Sequence, residues 1–181
     1  MKARPSNSVR IVGGEFRSRI LHFPNQPGLR PTPDRVRETL FNWLGQDLSG
    51  WTCLDAFAGS GALGFEAASR GAVRVLMLEQ DSRTVAALRA QAAILPAQAV
   101  EVRQGDALAF LAGDGERFDL VFLDPPFAGN VLMPALQLAA TRLNTGGKIY
   151  AESATPLVVE GFDILRRGRA GLAHFCLLEP V

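Results

Sequence analysis

Four acidic residues close four successive predicted strands. Asp55 follows the apolar end of the first at Leu54, Glu79 ends the run from Val73, Asp106 follows Val100–Arg103, and Asp124 ends Phe118–Leu123. Helical patterns over 61–70, 82–94 and 107–112 separate these strands. A helix near 131–142 and a strand over 146–152 follow. Short, continuously apolar strands alternating with helices predict a parallel sheet covered on both faces. Ligands of such sheets sit beyond the strand carboxyl ends. A single loop acid is unremarkable, but four in a row at one sheet edge point to a binding edge. Gly161–Arg167 and Leu172–Glu179 read as a terminal hairpin about Gly168–Gly171, which brings the sheet to seven strands. The fold expected is therefore α/β, a mostly parallel seven-stranded sheet with helices on both faces.

At 181 residues the chain is long enough to close one hydrophobic core without disulfides or metal. No apolar run reaches the length of a membrane span, and the polar N-terminus lacks a signal-peptide core. A cytoplasmic monomer is expected. Cys53 and Cys176 fall in separate predicted strands and read as buried thiols. His22 and His174 are isolated, and no Cys/His spacing suggests a metal site.

Gly59, Gly61 and Gly64 form G-x-G-x-x-G after the first strand and open a helix. Such a loop lets a ligand approach the backbone, and the helix start offers free N–H groups. Glu79, at the end of the next strand, suits the hydroxyls of a ribose. Asp55, just before the loop, would repel a pyrophosphate. It suits a cationic nucleoside such as S-adenosylmethionine, and Asp106 could accept from its adenine amino group.

Residues 124–127 read Asp-Pro-Pro-Phe. Two prolines fix the backbone and hold Asp124 extended, so its carboxylate and the Pro125 carbonyl can face one point. Phe127 adds a flat apolar plate. Two acceptors and a plate suit a planar base carrying an exocyclic amine.

Charge is unevenly spread. Residues 1–37 carry eight Lys/Arg against two Asp/Glu, a net of +6, while the rest carry a net of −5. A basic arm on an acidic body predicts phosphate contacts from the N-terminal part. Val9–Val12 and Phe16–Phe23 read as a β-hairpin around Gly13-Gly14 that would present Arg10, Arg17 and Arg19. Lys2 and Arg4 are expected in a solvated tail. Pro24–Pro31 reads as a linker. Thr32-Pro33 reads as an N-cap and first helical turn, with Val36, Leu40, Phe41 and Leu44 as the apolar face. Arg35, Arg37 and Asn42 are then expected off that face, bordering the active-site mouth.

The set Asp-Ala-Phe-Ala-Gly-Ser-Gly (55–61), Leu-Glu-Gln-Asp (78–81), Gly-Asp-Ala (105–107) and Asp-Pro-Pro-Phe resembles class I S-adenosylmethionine-dependent methyltransferases that act on exocyclic amines of bases. The segments Arg10–Arg19 and Gly28–Leu44 resemble more narrowly the bacterial 16S rRNA (guanine(966)-N2)-methyltransferase family. The resemblance implies a Rossmann-like class I methyltransferase domain over 32–181, with an arm and hairpin extension over 1–31. It implies S-adenosylmethionine held by Asp55, Ala56, Phe57, Gly59, Ser60, Gly61, Glu79, Gln80, Asp106 and Ala107. Asp124, Pro125, Pro126 and Phe127 would be catalytic. Arg10, Arg17, Arg19, Arg30 and Arg35 would contact 16S rRNA within a small-subunit assembly. An adenine-N6 methyltransferase on DNA or RNA, and a nucleotide-binding protein without methyl transfer, stand as alternatives.

Overall fold

A computed structural model describes residues 7–95 and 97–181, so Lys2 and Arg4 lie outside the described residues. Two short strands, β1 (Ser8–Arg10) and β2 (Ile20–His22), pair antiparallel and precede helix α1 (Asp34–Trp43). The main sheet follows: β3 (Thr52–Asp55), β4 (Arg74–Glu79), β5 (Val100–Gln104), β6 (Phe118–Leu123), β7 (Leu143–Ser153), β8 (Phe162–Ala170) and β9 (Ala173–Pro180). Helices α2 (Ala62–Ser69), α3 (Ser82–Ile94), α4 (Ala107–Ala112) and α5 (Leu132–Ala140) connect the parallel strands.

The strand order is β5-β4-β3-β6-β7-β9-β8. Strands β3 to β7 run parallel, and β9 lies antiparallel between β7 and β8. The chain winds outward from β3 through β4 to β5, then returns to place β6 on the other side of β3. That reversal opens a crevice at the carboxyl ends of β3 and β6. Asp55 ends β3 and Asp124 follows β6, so both stand at the crevice.

The strands alternate their side chains between two cores. Cys53, Leu120 and Phe122 face one cluster with α1, α2 and α3, while Leu54, Val121 and Leu123 face the other with α4 and α5. The small N-terminal sheet is part of the first core, through Val9, Ile11, Phe16 and Leu21.

Three local expectations change. The hairpin expected around Gly13-Gly14 forms as β1 and β2, but with short strands and a long loop between them. Residues 11–19 loop onto the end of α2. There Glu15 N–H donates to the Ser69 carbonyl at 2.7 Å, Phe16 N–H to Ser69 Oγ at 2.8 Å, and Ser69 Oγ–H to the Gly13 carbonyl at 2.6 Å. A Cβ on Gly14 would stand 1.9 Å from the Ser69 carbonyl oxygen, so the glycine is required by close approach. Thr32 does not cap α1. Pro33 holds the cap position without a side-chain bond, and the Thr32 hydroxyl turns toward β6 and β7. Pro24–Pro31 is no free linker either. Gln26 donates to Asp81 Oδ1 at 2.5 Å and Thr84 Oγ1 at 2.9 Å at the start of α3, and Leu29 reaches over Gly59.

Arg37 is the largest correction. It lies one turn before Phe41 on the buried face and is fully enclosed. Its guanidinium donates to Glu66 Oε1 at 2.8 Å, Asp34 Oδ1 at 2.5 Å, and the carbonyls of Arg10 at 2.7 Å and Thr32 at 2.9 Å. Glu66 also accepts from Val12 N–H and from Arg70. Burial pulls the Arg37 pKa down, and the carboxylates of Glu66 and Asp34 oppose that shift. Breaking a buried, hydrogen-bonded ion pair leaves an uncompensated charge. Arg37→Leu should therefore lower the unfolding free energy by about 3–5 kcal/mol. Denaturant unfolding measures this, and a loss below about 1 kcal/mol would mean the pair does not hold the N-terminal segment to α2.

Candidate active site at the carboxyl edge of the sheet

Asp55 is 1% exposed. Its Oδ2 accepts from Gly64 N–H at 3.0 Å. Its Oδ1 is buried without a hydrogen-bond partner, alone in this among the described side chains. Burial pushes its pKa up to about 7; the Gly64 N–H bond opposes the shift and the Glu79 charge adds to it. A buried acceptor with no donor marks a place for a ligand donor or cation.

The glycine loop is shaped by its neighbours. Gly61, at φ +80, begins α2, and a Cβ there would lie 2.6 Å from Leu88 Cδ2. A Cβ on Gly64 would lie 2.4 Å from Met77 Cε, and one on Gly59 2.8 Å from Leu29 Cδ1. The G-x-G-x-x-G spacing thus meets a left-handed turn and close packing of the helix on the sheet. Glu79 ties the loop to β4, with Oε2 accepting from Gly59 N–H and Oε1 from Asp81 N–H, both at 3.0 Å. Gln80 donates to Asp106 Oδ2 at 2.5 Å, and Asp106 Oδ1 caps α4 through Ala109 N–H at 2.8 Å. Ala56, Ser60 and Ala107 are buried and Phe57 half-buried. The residues expected to hold a cofactor thus form one band along the ends of β3, β4 and β5.

Asp124 stands at the other lip. Its Oδ2 lies 3.3 Å from the Thr32 hydroxyl, which is also 3.3 Å from Glu152 Oε1. The Tyr150 hydroxyl donates to that same Glu152 oxygen at 2.7 Å. Burial, then the charges of Glu152 and Asp55, hold the Asp124 carboxyl well above the usual range. Glu152 is also raised by burial, against its hydrogen bonds. Pro125 is buried, Pro126 exposed, and the Phe127 ring is 52% exposed. An apolar ring left open beside buried acceptors can stack on a planar ligand.

Thr32, Tyr150 and Glu152 were not among the residues expected here. Glu152 carries the signal that revealed the others, an acid at the end of a predicted strand, one strand further on. Thr32 offered no such signal, because a threonine before proline reads first as a cap.

The five candidate RNA-binding arginines, Arg10, Arg17, Arg19, Arg30 and Arg35, are all exposed. Arg10 lies 3.4 Å from Asp34. With Ser8, Val9, Ile20 and residues 31–34 it lines a cavity of about 420 Å³ that includes Thr32. Arg17 lines a second cavity of about 600 Å³ with Val12–Gly14, Asn42, Gln46 and Arg70. Asn42, expected at the active-site mouth, instead lines this second cavity beside the Gly13-Gly14 loop.

Residues 9–179 match the family model described as "Conserved hypothetical protein 95". The chain is 41% identical to "Ribosomal RNA small subunit methyltransferase D" of Escherichia coli (strain K12), over 96% of this chain and 91% of that protein. It is 40% identical to the protein of the same name from Haemophilus influenzae, over 94% and 93% of the two chains. The solved structure of yhhF from Escherichia coli superposes with a TM-score of 0.86 at 40% identity, over 96% of this chain and 98% of that one. With a family match across nearly its whole length, the chain belongs to the conserved hypothetical protein 95 family, alongside these small-subunit rRNA methyltransferases.

Proposed function

We propose that this chain transfers a methyl group from S-adenosylmethionine to the exocyclic N2 of a guanine in 16S rRNA, at position 966. The observation that carries the reading is the pairing of two acids at one crevice. Asp55 presents an unpartnered buried oxygen, and Asp124 sits with Pro125 at the end of the adjacent strand. The names of the relatives agree with rRNA as substrate. The substrate is taken to be a small-subunit assembly in the cytoplasm, with the chain acting as a monomer.

S-adenosylmethionine fits this edge: it brings an ammonium and a sulfonium to an acid that lacks a partner, and it supplies an electrophilic methyl. Asp55 would hold the cationic end, Glu79 the ribose, and Asp106 with Gln80 the adenine. The guanine amine is a poor nucleophile, because its lone pair is drawn into the ring. Asp124 and the Pro125 carbonyl would accept its two N–H groups and turn the lone pair toward the methyl. Hydrogen bonds to a charged group contribute about 1.5–3 kcal/mol, and fixed alignment contributes more. Phe127 would stack on the base, which must leave its own stack to enter.

The decisive experiment is nucleoside mass spectrometry of rRNA from a strain lacking this chain. Loss of N2-methylguanosine at one mapped 16S position is expected, and an unchanged rRNA methylation pattern would overturn the reading. In vitro, Asp124→Ala should keep cofactor affinity and lose at least roughly 10²-fold in single-turnover rate. A folded variant with a near-normal rate would remove Asp124 from the chemistry.

Cofactor affinity should also depend on pH through Asp55. Its pKa is raised to about 7, and only the ionised form attracts a cation. Affinity should therefore climb as pH rises toward 7 and level off above it. Below 7 the slope should approach about tenfold per pH unit. Asp55→Asn should bind more weakly and lose the slope. Calorimetry at several pH values tests this, and a slope that survives in the variant would place the titration elsewhere.

The N-terminal arginines supply the remaining test. Replacing Arg10, Arg17 and Arg19 with alanine should weaken RNA binding and lower the log–log salt slope by about 2, at about 0.7 per lost contact. Cofactor affinity should hold. RNA titrations across salt concentrations that gave an unaltered slope would make these side chains bystanders.

A further inference from the structure

Glu152 is a buried acid to which the mechanism above gives no task. It sits near the end of β7, 6% exposed. One hydroxyl, that of Thr32, lies 3.3 Å from both its carboxylate and that of Asp124. A hydroxyl has one proton, so Thr32 serves only one of the two at a time. The Tyr150 hydroxyl, at 2.7 Å, serves Glu152 alone. Donors are therefore unevenly dealt: Glu152 has one to itself, and Asp124 has a share in another.

Among the described residues, no cation redresses the balance. The titratable groups facing Asp124 are Glu152 from β7 and Asp55 from β3. Tyr150 stands beside Glu152, with Cys176 of β9 behind it. The Arg37 guanidinium touches this cluster only through the Thr32 carbonyl, and its other bonds go to Glu66, Asp34 and the Arg10 carbonyl. Two carboxyl groups so placed do not ionise together at the usual pH. The one with the better donors ionises first, and its charge holds the proton on the other.

We propose that Glu152 is a positioning residue for methyl transfer, an ionised neighbour, held by Tyr150 and Thr32, that makes Asp124 a strong proton acceptor. The proposal rests on the reading of Asp124 as the group that meets the target amine. In the step concerned, a nitrogen–carbon bond forms while the methyl carbon–sulfur bond breaks, its electron pair staying on sulfur. The nitrogen gains positive charge and gives up one proton, which the Asp124 carboxylate takes. The charge on Glu152 raises the basicity of Asp124, and a stronger base takes the proton more readily. The donors on Glu152 keep Glu152 itself from taking the proton. This arrangement separates two otherwise similar acids into a fixed charge and a working base.

The test is the pH dependence of single-turnover methylation of small-subunit rRNA by the intact protein, with RNA and S-adenosylmethionine saturating. The wild-type rate should rise with pH to a plateau as Asp124 ionises. Glu152→Gln keeps the size and the hydrogen bonds but removes the charge. Its midpoint should fall by about one pH unit or more, and its plateau should be lower because Asp124 has become a weaker base. A midpoint that stays in place or moves up would overturn the proposal and leave Glu152 as a prop for Tyr150 and Thr32. A wild type that methylates no rRNA would instead sink the functional reading, so the two failures are distinct. If Glu152→Gln does not fold, carbon-13 NMR of the two carboxyls in the wild-type protein reads the order directly: Glu152 should titrate first and Asp124 at higher pH. Asp124 titrating first, or the two titrating together, would overturn the proposal as well.

Discussion

The buried pair of Arg37 and Glu66 holds the N-terminal third of this chain to the sheet. A guanidinium with no access to water must place its donors on acceptors, and the four it finds come from three separate segments. Its bond to the Arg10 carbonyl fixes the end of β1, its bond to Thr32 fixes the approach to α1, and its bond to Glu66 ties both to α2. Glu66 in turn accepts from Val12 and Arg70. Desolvating these charges is costly, and the pair adds little net stability over an apolar equivalent. What it adds is geometry. Apolar contacts would tolerate a slide of the hairpin over α2, whereas a forked donor with directed partners does not.

That geometry reaches the crevice. Thr32 is held through its carbonyl by Arg37 and presents its hydroxyl to Asp124 and Glu152. The exposed Arg10 and the carboxylate proposed to meet the base are therefore joined by three hydrogen bonds, through Arg37 and Thr32. RNA seated against Arg10 would rest on the same frame that sets Asp124. The Pro24–Pro31 segment adds a second link, since Leu29 lies over Gly59 and Gln26 is bonded at the start of α3. The N-terminal part thus forms walls of the crevice.

Much of this was legible in the chain. The helices at 82–94 and 107–112 lie where the apolar periodicity predicted them, and the acids at 55, 79, 106 and 124 do share one edge. Continuous apolar strands and glycine-punctuated turns are local signals, so reading them needs no partner. The burial of Arg37 is not legible in the sequence, because helical spacing ranks side chains by polarity. It places an arginine on the wet face unless an acid from another element is known to meet it, and Glu66 is on a different helix. A glycine pair such as Gly13-Gly14 carries in isolation the same signal for a turn as for close approach. Only the Ser69 carbonyl, 56 residues along the chain from Gly13, separates the two.

The sequence by itself determined the layer architecture, the sheet edge that carries the acids, the glycine loop and the rigid Asp-Pro-Pro-Phe corner. Each rests on bonds or sterics within a few residues. Tertiary structure alone decided which of these acids are buried, which keeps an unpartnered oxygen, and which pairs with another. Glu152 and Asp124 are 28 positions apart and meet because β6 and β7 are neighbours in a parallel sheet. Thr32 joins them across a still longer separation. Desolvation and like-charge coupling depend on everything that surrounds a group in space, and neighbours in sequence do not record it.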